Sequence, residues 1–190
     1  MAQSYIKRIL NAQVYDVARE TPLDAAPLLS ARLGIQAFLK REDLQPVFSF
    51  KCRGAFNKMV HLDEAARAGG VVAASAGNHA QGVALAASKL GIKATIVMPV
   101  TTPLIKVDAV KALGAKVVMH GDSFDEAAVR ARALTESEGF TFIHPFDDPD
   151  VIAGQGTVAV ELVRQAQQPL DYVFVCCGGG GLLAGMAAYL

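Results

Sequence analysis

Lys51 is the residue of this sequence that is best placed to act as a nucleophile. It lies within Ser49-Phe50-Lys51-Cys52-Arg53-Gly54-Ala55, after an apolar segment and next to the start of a predicted helix. A lysine that is partly removed from water has a lowered pKa, so its neutral amine becomes available to form a Schiff base with a carbonyl compound. A solvated lysine at a helix N-terminus is the alternative that this segment alone leaves open.

A second segment, Ser75-Ala76-Gly77-Asn78-His79-Ala80-Gln81-Gly82, follows a predicted strand and opens a predicted helix. The unpaired N–H groups of a helix N-terminus, its positive dipole end and the Ser75 hydroxyl together favour binding of a carboxylate. Asn78 adds a side-chain amide. Ordinary N-capping by Ser75 or Asn78 is the alternative, and His79 by itself is also typical of a packed or surface histidine.

A run of glycines, Gly178-Gly179-Gly180-Gly181-Leu182, lies between a predicted strand and a predicted helix. Consecutive glycines can fold tightly around an anion and direct successive N–H groups at it. The run matches neither GxGxxG nor GK[ST], so it supports neither a dinucleotide site nor a P-loop. It predicts a phosphate-binding loop, with a flexible turn as the alternative.

A weaker signal comes from Pro145-Phe146-Asp147-Asp148, followed by Ile152-Ala153-Gly154-Gln155-Gly156-Thr157. The segment is typical of a strand-to-helix loop, at the edge of an open α/β sheet where ligands gather. A plain helix N-terminus is the simpler interpretation of this segment.

Short β-branched runs alternate with longer segments of helical period along the chain, which predicts βαβ units and a parallel sheet covered by helices. The predicted strands are 36–40, 71–74, 94–98, 116–119, 141–144 and 172–176. The predicted helices are 53–62, 79–90, 104–113, 124–138, 152–167 and 182–190. Because the last of these lacks a cap and a following strand, we expect the fold to be incomplete at Leu190.

The composition favours a globular protein that binds small molecules. Its 190 residues are 52% hydrophobic, and 18 basic residues balance 18 acidic ones. The absence of a basic stripe disfavours a nucleic-acid partner. No apolar run approaches the ~20 residues that span a bilayer, and no secretory signal is evident, so we expect a cytoplasmic protein. Cys52, Cys176 and Cys177 are expected to be small buried side chains, with no metal site.

In order and spacing, the four segments closely resemble the threonine dehydratases of the tryptophan-synthase-β-like pyridoxal-phosphate family. The similarity extends over nearly the whole chain, and the stretches 5–23 and 40–55 are more similar to the biosynthetic branch. The resemblance implies that family's α/β fold, incomplete at the C-terminus. Residues 1–56 and 151–190 would then belong to a large pyridoxal-phosphate-binding domain, with 57–150 as a nested small α/β domain.

The resemblance also implies a role for each candidate residue. Lys51 would bind pyridoxal 5′-phosphate covalently and then act as the general base at the substrate Cα. The cofactor contacts would come from Phe50, Lys51, Asn78, Gly178, Gly179, Gly180, Gly181 and Leu182. The substrate contacts would come from Ser75, Ala76, Gly77, Asn78, His79 and Gln155.

The implied activity is that of a lyase of isoleucine biosynthesis, within branched-chain amino-acid biosynthesis. It converts L-threonine to 2-oxobutanoate and ammonia, takes L-serine as a secondary substrate and acts as a homo-oligomer. We expect the 190-residue chain alone to be inactive, because residues that complete the cofactor site would follow Leu190.

Two alternatives to a threonine dehydratase remain. One is a serine racemase or serine dehydratase of the same family; Ala76 disfavours the racemase, because racemases of this scaffold have a serine there that acts as a second base. The other is a non-catalytic domain that binds a phosphate-bearing ligand or another chain.

Overall fold

The structure, a computed structural model, describes residues 4–190 and contains two sheets. The strands are β1 (Leu23–Ala25), β2 (Phe38–Lys40), β3 (Val71–Ala74), β4 (Ala94–Met98), β5 (Lys116–Met119) and β6 (Thr141–Phe142). The larger sheet is parallel, in the order β5-β4-β3-β6, and β1 pairs with β2 in antiparallel orientation.

Nine α-helices and one 3-10 turn (Glu42–Leu44) surround these sheets within the described residues. The helices are α1 (Tyr5–Leu10), α2 (Pro27–Leu33), α3 (Lys51–Val60), α4 (Glu64–Gly69), α5 (Asn78–Leu90), α6 (Leu104–Ala112), α7 (Phe124–Glu138), α8 (Pro149–Gln165) and α9 (Gly181–Ala187). Over residues 4–190, none of the helices is both long enough and apolar enough to cross a membrane.

Helices cover both faces of the parallel sheet, as the sequence predicts. Side chains of a strand alternate between faces, so Val71 and Ala73 of β3 join a core cluster with Val83 of α5. Val72 of β3 joins a second cluster with Ala131 of α7 on the other face. Both β3 and β4 are buried along their whole length. The observed bounds of β3, β4, β5 and α7 are the same as those predicted from the sequence, which are confirmed.

Side-chain caps explain where α7 and α8 begin. The Ser123 hydroxyl accepts a hydrogen bond from the Glu126 N–H at the start of α7, a common N-cap arrangement. The Asp148 carboxylate accepts from the N–H groups of Asp150 and Val151, with Pro149 at the first helical position. Helix α8 therefore begins three residues before the predicted start.

The predicted strand 172–176 is absent, which corrects the sequence interpretation. A strand is defined by hydrogen bonds to a neighbour, and this segment pairs with no other strand among residues 4–190. Tyr172 and Phe174 are consequently 82% and 93% exposed. The same lack of cover leaves Cys176 and Cys177 exposed, contrary to expectation, whereas Cys52 is buried as expected. The antiparallel pairing of β1 with β2 was also not anticipated.

Helix α3 is packed at backbone distance between α5 and α8. A Cβ added to Gly82 of α5 would lie 2.9 Å from the carbonyl oxygen of Lys51. A Cβ added to Gly154 of α8 would lie 2.7 Å from the Cα of Gly54. Glycine permits these close approaches because it has no side chain, and they place α3 at a fixed position against both neighbours.

A buried ionic network joins α3 to β2 and α8. The guanidinium of Arg53 is fully buried and donates to the carboxylates of Glu42 and Glu161 and to the hydroxyl of Thr157. The Lys40 amine lies 2.6 Å from Glu161. Although burial raises the pKa of Glu161, hydrogen bonds from Arg53 and Lys40 hold it below its ordinary value. Glu161 therefore remains charged. The two positive charges of Lys40 and Arg53 balance the two negative charges of Glu42 and Glu161.

Replacing Gly82 by alanine should separate α5 from α3. The added methyl group would contact the Lys51 carbonyl, and overpacking of this kind costs ~1–3 kcal/mol. We expect Gly82→Ala to lower the midpoint of urea unfolding accordingly. Ser88→Ala, on the exposed face of the same helix, is the matched control and should leave the midpoint within experimental error. Equal midpoints for both variants would show that the α3–α5 contact relaxes without cost.

Candidate active site

Most of the candidate residues lie at one edge of the parallel sheet. The 75–77 turn follows β3 and the 143–148 loop follows β6, and these two strands are neighbours. The carboxyl ends of parallel strands form the edge at which open α/β folds bind ligands. Because α5 and α8 both begin at this edge and both pack on α3, the first turn of α3 is brought to the same place.

Lys51 is the first residue of α3 and is half-buried. Its Nζ donates a hydrogen bond of 2.7 Å to the carbonyl oxygen of Pro145 and lies 5.4 Å from the centroid of the Phe50 ring. Burial lowers the pKa of the Lys51 amine, and the nearby Cys176 partly opposes this effect. The structure thus gives Lys51 the desolvated environment that a Schiff-base lysine requires.

The turn before α5 leaves the N-terminus of that 13-residue helix without a side-chain cap. Gly77 occupies the cap position, and the Ser75 hydroxyl accepts from the Gly77 N–H at 3.1 Å instead of from a helical N–H. Asn78 is exposed at the first helical position, and Ala76 is half-buried. The first-turn N–H groups of α5 are therefore available to an anion. A side-chain N-cap would have occupied one of them.

The His79 ring is engaged inside the protein. It is 4% exposed, and its Nε2 lies 2.9 Å from the carbonyl oxygen of Ile143, to which it can only donate. Burial lowers the pKa of His79 to about 4, so the ring is neutral near pH 7. Of this residue, only the backbone N–H is left for the predicted contact with a carboxylate.

The glycine loop, residues 178–181, lies against Phe146. A Cβ added to Gly179 would overlap Cδ1 and Cγ of the Phe146 ring, and one added to Gly181 would lie 2.7 Å from the Phe146 carbonyl oxygen. A Cβ at Gly178 or Gly180 would meet nothing within 4 Å, and Gly180 has a φ of 87°. The loop therefore has one packed side and one open side.

Two predicted site residues have side chains that point elsewhere. Gln155 is 1% exposed, and its Oε1 accepts from the Gly54 N–H inside the α3–α8 interface. The half-buried side chain of Leu182 packs on the core cluster of α8 and α9. The structure thus does not bring the Gln155 side chain together with the other candidates, because its amide is already engaged by the α3 backbone.

The segment 143–147 connects more of the candidate residues than its sequence indicates. Ile143 receives the hydrogen bond of His79, Pro145 receives that of Lys51, and Phe146 supports the glycine loop. Three separate candidate segments are therefore connected through this short segment. The sequence predicts a strand-to-helix loop that contains Pro145 and Phe146, but it does not predict these contacts, because backbone carbonyls leave no mark in a sequence.

Comparison with known proteins identifies the family. Residues 14–190 match the family model described as "Pyridoxal-phosphate dependent enzyme". The chain belongs to this family. The family and fold class predicted from the sequence are thereby confirmed, with a parallel sheet flanked by helices.

Its similarity to individual members of the family extends over the whole chain. The chain is 62% identical to the biosynthetic, chloroplastic threonine dehydratase of Arabidopsis thaliana and 58% identical to the biosynthetic L-threonine dehydratase of Burkholderia multivorans. Both alignments cover 100% of this chain, but only 32% and 38% of the relatives. The chain thus spans about a third of the length of these curated relatives.

Solved structures of the family give the same result. The processed form of threonine deaminase isoform 2 from Solanum lycopersicum aligns with a TM-score of 0.94 and 55% identity, over 97% of this chain and 51% of that one. Maize serine racemase aligns with a TM-score of 0.92 and 36% identity, over 97% and 56%. The backbone described above is therefore common to dehydratases and racemases.

The buried His79 predicts a pH dependence of stability. Folding lowers its pKa from 6.5 to about 4, so the unfolded chain binds the proton more readily. The stability contributed by the neutral ring is therefore complete above pH 6.5 and decreases as the pH falls towards 4, by on the order of 3 kcal/mol. His79→Gln, which keeps a donor for Ile143, should reduce the loss of unfolding free energy between pH 7 and pH 4.5.

His120→Gln, at an exposed position, is the control and should retain the parental pH dependence. Urea unfolding at several pH values measures all three proteins. Identical pH profiles for the parent and His79→Gln would contradict the assignment of a buried neutral imidazole.

Proposed function

We propose that the protein containing this chain is a pyridoxal-phosphate-dependent threonine dehydratase. It removes the β-hydroxyl and the amino group of L-threonine, releasing 2-oxobutanoate and ammonia for isoleucine biosynthesis. The observation that carries the proposal is the half-buried Lys51 amine at the carbonyl of Pro145, whose neighbour Phe146 contacts a glycine loop with an open side. Identity of 55–62% to proteins named threonine dehydratase or threonine deaminase supports the choice of substrate.

The residues of the site fit the cofactor. Pyridoxal phosphate needs an amine for its aldehyde and donors for its phosphate. Burial lowers the pKa of the Lys51 amine, and a Cβ added at Gly178 or Gly180 would meet nothing within 4 Å, which leaves space for an anion beside the glycine loop. When bound, the cofactor supplies an electron sink for charge that develops at the substrate Cα.

Lys51 is proposed to hold the cofactor and to accept the proton from the substrate Cα. Only a neutral amine can accept a proton, and the lowered pKa of Lys51 increases the neutral fraction near pH 7. Phe50, whose ring lies beside the Lys51 amine, is proposed to contact the cofactor ring, and Asn78 to donate to its oxygen. The glycine loop and the backbone of Leu182 are proposed to hold the phosphate.

The substrate carboxylate is proposed to bind at the N-terminus of α5. Uncapped N–H groups are available there, at the positive end of a 13-residue helix. The backbone of Gly77, Asn78 and His79 and the hydroxyl of Ser75 would surround the carboxylate. This placement would hold the substrate Cα between the turn and Lys51, since Gly82 of the same helix contacts the Lys51 backbone.

A serine racemase is the second candidate, because the chain is 36% identical to maize serine racemase with a TM-score of 0.92. Racemisation needs a proton donor on the face of the substrate opposite Lys51. Ala76 lies in the carboxylate turn, where the racemases have a serine base, and its methyl group can neither donate nor accept a proton. We therefore favour elimination over racemisation.

The domain layout, the oligomeric state and the cellular location complete the proposal. Residues 57–150, which contain all four strands of the parallel sheet, are proposed as a nested small domain, with 1–56 and 151–190 as parts of a larger one. We further propose that the full-length protein assembles as a homo-oligomer. We place the protein in the cytoplasm, although relatives from plants and yeast are named chloroplastic or mitochondrial.

Lys51→Ala should abolish the borohydride-stable adduct of the full-length protein with pyridoxal phosphate. Without the amine neither the covalent attachment nor the proton transfer can occur, so turnover of L-threonine should fall by several orders of magnitude. Mass mapping of the reduced adduct and an assay of 2-oxobutanoate measure the two effects. Lys89→Ala, at an exposed position of α5, is the control and should retain both. A reduced adduct mapped to a lysine other than Lys51 would refute the assignment.

The reaction products should distinguish a dehydratase from a racemase. We expect the full-length protein to convert L-threonine to 2-oxobutanoate, to convert L-serine to pyruvate more slowly and to form negligible D-serine. Chiral chromatography of the serine reaction measures the last of these. Ala76→Ser, which adds a hydroxyl at the discriminating position, is the comparison in which D-serine should increase. D-serine formed by the parent as fast as pyruvate would exclude a dedicated dehydratase.

A further inference from the structure

Phe146 lies where the 143–147 segment meets the glycine loop. An added Cβ at Gly179 would overlap the Phe146 ring, and one at Gly181 would lie 2.7 Å from its carbonyl oxygen and 3.0 Å from its Cα. Added Cβ atoms at Gly178 and Gly180 would meet nothing. Alternate glycines of the loop therefore rest on Phe146, and the other two face open space.

The position of Phe146 is fixed from its other side. The His144 Nδ1 accepts from the N–H groups of Phe146 (3.3 Å) and Asp147 (2.7 Å), which closes the turn. The rings of His144 and Phe146 are in edge-to-face contact, with centroids 4.7 Å apart and an interplanar angle of 84°. The residue before Phe146 is Pro145, whose carbonyl oxygen accepts from the Lys51 amine. One short turn thus contacts both Lys51 and the glycine loop.

A rigid ligand that is anchored at both ends requires a fixed distance between its two anchors. On the proposed function, the aldehyde end of the cofactor is held by Lys51 and the phosphate end by the glycine loop. Misplacement of a binding group by ~1 Å can cost about 100-fold in rate. The part of the protein that sets the distance between Lys51 and the loop should therefore control how well the phosphate is bound.

We propose that Phe146 is a positioning residue that fixes the glycine loop relative to Lys51 and thereby determines the affinity for the phosphate group of the cofactor. This inference rests on the proposed function. It assigns to Phe146 a contact with the loop, and no contact with the reacting atoms. Its ring supports the backbone of Gly179, and its own backbone lies against Gly181.

Pyridoxal and pyridoxal 5′-phosphate separate this role from a general loss of structure. Both carry the aldehyde that reacts with Lys51, and only the second carries the phosphate. The ratio of the Kd of pyridoxal to the Kd of pyridoxal 5′-phosphate in the full-length protein, measured by absorbance titration, therefore reports how much the phosphate contributes to binding. We expect Phe146→Ala to reduce this ratio by about tenfold or more, which corresponds to ~1.4 kcal/mol, with a change below about threefold in the Kd of pyridoxal.

Two further variants serve as controls for Phe146→Ala. Phe146→Leu retains apolar volume beneath the loop and should keep most of the parental ratio. Phe140→Ala removes a phenylalanine that is also half-buried but packs on the α7 side of the parallel sheet, and should leave the ratio unchanged. An unchanged ratio in Phe146→Ala, or equal weakening of both ligands, would overturn the proposal.

Gly179→Ala tests the same contact from the loop. The added methyl group should push the loop away from Phe146 and weaken pyridoxal phosphate binding by at least about tenfold. In the double variant Phe146→Ala/Gly179→Ala the methyl group has no ring to meet, so the second change should add little to the first. Strictly additive losses would contradict the proposed contact. Absence of any borohydride-stable adduct in the parent would instead refute the proposed function itself.

Discussion

The close approach of α5 and α8 to α3 is the constraint on which the candidate site depends, because Lys51 is the first residue of α3. Gly82 brings the backbone of α5 to within contact of the Lys51 carbonyl, and Gly54 and Gly154 do the same for α3 and α8. Protein interiors are as densely packed as organic crystals, so helices in backbone contact have little freedom to shift. The two contacts therefore fix the position of the Lys51 Cα. The Pro145 carbonyl accepts a hydrogen bond from the Lys51 Nζ at the other end of the side chain.

The ionic network around Arg53 fixes the orientation of the same helix. Removing a guanidinium from water is costly, and a buried ion pair often contributes little net stability compared with apolar packing. Arg53 nevertheless has hydrogen-bond partners for all its donors, on Glu42, Thr157, Glu161 and the Arg19 carbonyl. Any rotation of α3 would break several charge-assisted hydrogen bonds at once. Since Arg53 follows Lys51 by two residues, the network stabilises one orientation of the first turn that carries Lys51.

Much of the parallel sheet could be predicted from the sequence, but its contacts could not. Strands such as 71–74 and 94–98 are apolar along their whole length, and the glycine at 139 ends α7 in a left-handed conformation, so local patterns defined them. Segment 172–176 has an equally clear strand pattern and forms no strand, because a strand depends on a partner elsewhere in the chain. The candidate residues Lys51 and His79 were also visible within motifs. The carbonyls of Ile143 and Pro145 that hold them were not, because every residue type has a carbonyl group.

The separation of the site residues along the chain has a consequence for folding. Within residues 71–119, each parallel strand pairs with one that is about twenty residues away in sequence, through a single helical crossover. By contrast, the hydrogen bond of Lys51 with Pro145 spans 94 residues, and that of Arg53 with Glu161 spans 108. Contacts of greater sequence separation close larger loops at a greater entropic cost and slow folding. We infer that the β3–β4–β5 sheet forms early in folding and that the surroundings of Lys51 are assembled late, on a sheet that already exists.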